Sequence, residues 1–120
     1  MANTSKTAVD FQTSASNAAG ATATGSTIDL RTGFGCGVVG KVTNGATGPT
    51  LPCDCVYEVS VDGTNWEEIA RASADLGNNV VTRFPFFFKK EWMYGRCKFL
   101  GNTGQAVTVE CKGHHVSSIG

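Results

Sequence analysis

Residues 35–41 read GCGVVGK, a match to GxxxxGK, the glycine-rich turn whose backbone N–H groups and lysine hold nucleotide phosphates. Val42 follows where such a loop needs a magnesium-binding Ser or Thr. A phosphate loop also sits between a buried parallel strand and a helix whose N-terminus faces the phosphate. Here Val42-Thr43-Asn44-Gly45 runs into a turn, with no helix-forming sequence behind Lys41. Alternation instead places Cys36, Val38 and Val42 on one face of a strand and Val39, Lys41 and Thr43 on the other. Gly40 then falls where a bulge or a close inter-sheet contact would fit. The stretch reads as a glycine-rich strand, not a nucleotide site.

The other reactive residue types are equally spare. Cys55 alternates with Tyr57, Val59 and Val61, Cys97 with Met93 and Phe99, and Cys111 with Val107 and Val109. Each thiol lands on an apolar face, so Cys36, Cys55, Cys97 and Cys111 are expected in the core as small hydrophobes. The alternatives are CDC (53–55) as half of a metal site, for which the spacing is too short for the usual C-x₂₋₄-C pair, and an adventitious disulfide. No metal and no cofactor is expected. His114 and His115 are neighbours on a strand and point to opposite faces. Glu58, Glu67, Glu68 and Glu110 fall at solvent-facing strand positions, and no GxSxG elbow or HExxH helix occurs. The expectation is a protein without enzymatic activity.

The elements that position these residues follow from composition and pattern. A chain of 120 residues suits one domain with a real core. Ten acidic residues balance ten basic ones and charged residues make up only 17%, which is no footprint for nucleic acid and suits a subunit packed in an assembly. No apolar run has the length of a membrane span, and Lys6 is followed by small and polar residues in place of a signal's apolar stretch. Synthesis and folding in cytosol, with the five cysteines reduced, is the resulting expectation.

Residues 1–26 are mainly Ala, Ser, Thr and Gly, with Val9 and Phe11 as the sizeable apolar exceptions. They are expected as an extended arm that builds no core of its own and docks either on its own domain or on another subunit. Residues 27–120 alternate with period two between turn sequences, which predicts strands at about 27–31, 35–43, 55–61, 67–72, 79–88, 92–100 and 105–112. Seven short strands at that spacing predict an all-β, antiparallel sandwich, immunoglobulin-like or jelly-roll-like. Trp66, directly after the Asp62-Gly63 turn, is expected to cap the core at the end of a hairpin.

The hairpin VYEVSVDGTNWEEIARA (56–72) resembles the S-x-DG-x-x-W hairpin of immunoglobulin-like and discoidin-like β-sandwiches. With IDLRTGFGCGVVGKVTNG, FPFFF and WMYGRCKFLGNTGQAVTVE, the pattern over residues 27–112 is similar to small β-sandwich structural proteins of tailed bacteriophages. That resemblance implies a virion subunit assembled in the host cytoplasm, such as a capsid decoration or cement protein or a neck or tail accessory. It implies a major capsid protein or other virion proteins as partners, homo-oligomerisation, and no direct contact with nucleic acid or membrane. Val9, Phe11 and Phe87 are the expected intersubunit contacts. The alternative reading is a carbohydrate-binding, discoidin-like module whose sugar platform is drawn from Trp66, Trp92, Tyr94 and Phe87, since aromatic faces stack on sugars.

Overall fold

Period-two alternation is realised as nine strands, with no helix, among the residues the computed structural model describes, 4–119, side chains being described for 6–116. In chain order they are β1 (Thr4–Asn17), β2 (Ala23–Thr24), β3 (Ile28–Asp29), β4 (Cys36–Asn44), β5 (Asp54–Ser60), β6 (Glu67–Ser73), β7 (Val81–Phe88), β8 (Tyr94–Leu100) and β9 (Val107–Ile119). They form two antiparallel sheets packed as a sandwich, one ordered β1-β9-β4-β7 and the other β2-β8-β5-β6, with β3 continuing β2 along β8. Counting β2 and β3 as one interrupted strand, the chain order across the sheets is 1-8-3-6 and 2-7-4-5. Apart from the β5–β6 hairpin, every link in that order crosses to the other sheet. This wrapping is the double Greek key of a jelly roll, and it decides between the two sandwich types that the strand pattern leaves open.

The core lies between the sheets. From one side come Cys36, Val38, Val42, Phe84, Phe88, Val109 and Cys111, and from the other Cys55, Tyr57, Val59, Cys97 and Phe99. Aromatic rings form a line across it. Phe11 stacks on Phe88 at 5.2 Å, Phe88 meets Tyr57 edge-on at 5.7 Å, and Tyr57 stacks on Phe86 at 4.8 Å. Such pairs add about 0.5–1.5 kcal/mol each beyond the area they bury. At the centre the Tyr57 hydroxyl donates to the carbonyl of Phe84 and accepts the N–H of Gly40 at 2.9 Å. A Cβ on Gly40 would stand 2.8 Å from Cys55 Sγ and 2.9 Å from Tyr57 Oη, so this glycine marks a close inter-sheet contact.

The two sides of the sandwich differ. On the β1 side, the N–H of Ser26 donates to the carbonyl of Phe11 and that of Gly25 to the carbonyl of Cys97, both at 2.8 Å. The link between β2 and β3 thereby stitches one sheet edge to the other. A side chain at Gly25 would collide with the Phe11 carbonyl, which is why the seal needs glycine there. On the opposite side β6 and β7 are both edge strands. Pro85 on β7 and a register irregularity in β6 around Ile69 blunt these edges against strand pairing, and a seam stays open between them.

Of the two dockings expected for the N-terminal segment, on its own domain or on another subunit, the first is seen among the described residues. Residues 4–17 are an integral edge strand paired with β9; Phe11 is fully buried and Val9 packs against the core. Residues 1–3 lie outside the described residues. Few large side chains suffice because β9 supplies the backbone partners, and a sheet edge asks only alternate residues to face inward. Phe11 is therefore enclosed by its own domain, and Val9 is half-buried against it. Phe11→Ala should cost about 3–5 kcal/mol, and removal of residues 1–17 should abolish the cooperative thermal transition followed by circular dichroism. A truncated chain that melts like the intact one would show β1 to be dispensable.

Candidate functional site

The glycine-rich stretch is strand β4, and its lysine serves the sheet. Lys41 lies opposite Glu110 on β9, with Nζ 3.5 Å from the carboxylate, while Val42 is buried. All five cysteines are buried and free. Burial pushes the Cys36 and Cys53 thiols up to about 12. Cys97 is also pushed up, by its contacts with Cys111 and Cys55 and by burial, its Sγ lying 3.7 Å from that of Cys55. Thiols so placed are poor nucleophiles. Among the described residues no three His, Cys, Asp or Glu side chains converge in a metal-binding arrangement. His114 is exposed and lies over Gly37, whereas His115 is half-buried beside Thr7, Thr32 and Gly33.

The outer face of the β5–β8 sheet is a lattice of paired charge. Glu58, expected at a solvent-facing position, is 6% exposed. It accepts from Arg96 Nε at 2.7 Å and from Lys98 Nζ at 3.3 Å, because its cross-strand neighbours on β8 fold over it. Trp66 is a second correction: it is half-buried outside the core, with the Arg96 guanidinium 4.1 Å above its ring. The Asp62 carboxylate organises the turn before it. It accepts the N–H groups of Thr64 and Asn65, each at 2.8 Å, and these bonds hold it well below the ordinary carboxylate range. Nearby, Arg71 bridges Glu68 and Asp54, and its hydrogen bonds lower Glu68. Arg31 lies over the Tyr94 ring at 5.1 Å and holds Asp29 down to about 2 by direct hydrogen bonding. Carboxylates tied to cations in this way are the opposite of a general base poised near neutrality.

The face across the sandwich carries Lys41, Arg83, Glu110 and Lys112 along its strands and an apolar corner around Phe87. Phe87 is 51% exposed and Val39 43%. The Phe87 ring covers the backbone at Gly35, where a Cβ would meet it at 2.7 Å, and Val39 has Pro85 as its cross-strand neighbour. Phe87 also borders a groove of about 640 Å³ at the top of the seam, lined by Ile69, Phe86, Phe87, Lys89, Glu91 and Trp92. Below it a slot of about 280 Å³ reaches down between β6 and β7 to Tyr57, with Phe86 shared by both. Of the expected contact residues, Phe87 is the most exposed. Trp92 and Tyr94 do not form one platform: Trp92 faces the groove, and Tyr94 lies under Arg31.

No protein-family model and no curated protein matches the sequence. Solved structures do share the fold. Infectious bursal disease virus of the Gt strain matches with a TM-score of 0.55 at 11% identity, over 96% of this chain and 32% of that one. The Gx strain gives 0.54 at 11%, over 97% and 32%. The VP2 subviral particle of the same virus gives 0.52 at 10%, over 96% and 33%. The chain thus spans about a third of the virus-particle chains it matches, and at these identities the likeness is one of fold.

Buried thiols give a direct check on the interior. A chromogenic disulfide reagent at pH 8 should react slowly with the native protein and reach five thiols in denaturant, and added zinc should leave the melting temperature unchanged. Rapid native labelling of Cys36, Cys55, Cys97 or Cys111 would contradict the packing described.

Proposed function

We propose that this chain is a non-enzymatic structural subunit of a virus particle. In its specific form the reading is a capsid decoration or cement subunit, or a neck or tail accessory, of a tailed bacteriophage. It is held by contacts with the shell protein and with its own copies. The observation that carries the reading is the exposed apolar surface around Phe87, on a sandwich whose opposite face has its charges neutralised internally. An exposed ring on a glycine floor beside an apolar groove marks a surface built to be covered. The jelly roll, recurrent in viral capsid domains, supports the same class, as does the fold likeness to virus-particle chains. Equal numbers of acidic and basic residues argue against nucleic acid as a direct partner.

Such a subunit works by binding energy multiplied through symmetry. An interface of about 1,600 Å² suffices for specific attachment, and many copies across the seams of a shell resist internal pressure together. The jelly roll is also a lectin fold. With the ring faces of Trp66 and Tyr94 occupied by arginines, a sugar site would have to use Trp92 and Phe87 in the groove. Both readings meet in one experiment. Mixed with particles lacking the protein, the parent chain should co-sediment, and Phe87→Ser should bind at least about tenfold more weakly at unchanged melting temperature. A Phe87→Ser chain that co-sediments like the parent, or a chain that binds oligosaccharides through Trp92 and no particle, would overturn the proposal.

A further inference from the structure

We infer that copies of this chain associate head to tail, with the β6–β7 turn of one seated in the Ile69–Phe87–Trp92 groove of the next. The inference rests on the structural-subunit reading above and names the partner of its groove.

The knob is built from residues 74–80. Leu76 is 47% exposed at the bottom of the seam, on a turn fastened from several directions. The buried amide of Asn44 donates to the carbonyls of Asp75 and Gly77, both at 2.8 Å. The N–H of Asp75 donates to Thr82 Oγ1 at 3.0 Å, that of Ala74 to the carbonyl of Cys53 at 2.8 Å, and that of Asn79 to the carbonyl of Gly45 at 2.8 Å. Gly48 lies so close under the Leu76 carbonyl that no side chain fits there. An apolar side chain presented on so rigid a turn loses little entropy when it is buried by a partner.

The hole is at the other end of the same seam. Ile69, Phe87 and Trp92 give the groove apolar walls, and Lys89 and Glu91 its charged rim. Glu91 pairs with Lys90, whereas Lys89 on the rim and Asp75 beside the knob have no ion-pair partner among the described residues. Leu76 in the groove would therefore bring Asp75 toward Lys89, matching charge as well as apolar surface. Pro85 and the β6 irregularity disfavour strand pairing along the seam, which leaves side-chain insertion as the mode. Knob and hole at opposite ends make the contact heterologous, so repetition gives a ring if the rotation closes and a filament if it does not.

Sedimentation velocity over a range of concentrations tests this with the full chain alone. The parent should show concentration-dependent association. Leu76→Ser, Asp75→Lys and Lys89→Glu should each weaken it by about tenfold or more with unchanged melting temperature. Asp75→Lys and Lys89→Glu combined in one chain should recover most of the loss, a result that non-specific stickiness would not give. A parent that stays monomeric at millimolar concentration, association indifferent to Leu76, or charge reversals that fail to rescue each other would overturn the inference. A monomer that still co-sediments with particles through Phe87 would overturn self-association while leaving the structural-subunit reading standing.

Discussion

Tyr57 holds the two sheets in register. Its ring lies in the aromatic line of the core, and its hydroxyl reaches the opposite sheet, where it takes the N–H of Gly40 and gives its proton to the Phe84 carbonyl. Gly40 and Phe84 are cross-strand partners on β4 and β7, so one hydroxyl satisfies a polar group on each of two neighbouring strands. Burial raises this phenol's pKa and keeps it protonated. The approach is possible only because residue 40 has no side chain. A buried donor or acceptor left without a partner costs about 1–3 kcal/mol, which makes the tyrosine and the glycine a single device.

That device stands on the side of the sandwich that is not otherwise sealed. Toward β1 the sheets are joined by backbone hydrogen bonds through Gly25 and Ser26. Toward β6 and β7 the joint is made of side chains, Tyr57 on Phe86 above all, and the gap beyond them is the seam. The groove is thus a consequence of how the fold closes: one side is finished by backbone, the other by rings whose outer faces stay accessible. The β5–β8 face ties up its charge through Arg96, Lys98 and Arg71, whereas the seam and the corner around Phe87 expose apolar side chains.

Much of this was legible in the sequence. Alternation located β4 through β9 to within a few residues along most of their length, separated the inward cysteines from their outward neighbours, and showed that GCGVVGK lacks the helix a phosphate loop requires. It also singled out Gly40 as a position of close approach. What it could not supply was pairing across the sequence. β1 is poor in large residues, and only the edge of β9, nearly a hundred residues away, turns Val9 and Phe11 into core residues. Glu58 reads as solvent-facing until Arg96 and Lys98 are known to be its neighbours on β8, and Trp66 reads as a core cap until the same arginine is found over its ring. The groove brings Ile69 on β6 together with Trp92 in the β7–β8 connection. Leu76 alone had a local signal: an apolar residue after an aspartate in a turn, where nothing in its own strand pattern requires one.

The most direct test of the account is a double-mutant cycle on the inter-sheet joint, with Tyr57→Phe and Gly40→Ala measured singly and together by denaturant unfolding. If the hydroxyl and the bare backbone act as one device, removing the hydroxyl relieves part of the crowding that the added methyl creates. The double variant should then be more stable than the sum of the two losses implies, by about 1 kcal/mol or more. Losses that add to within about 0.3–0.5 kcal/mol would contradict the claim that the sheets are held together at this point.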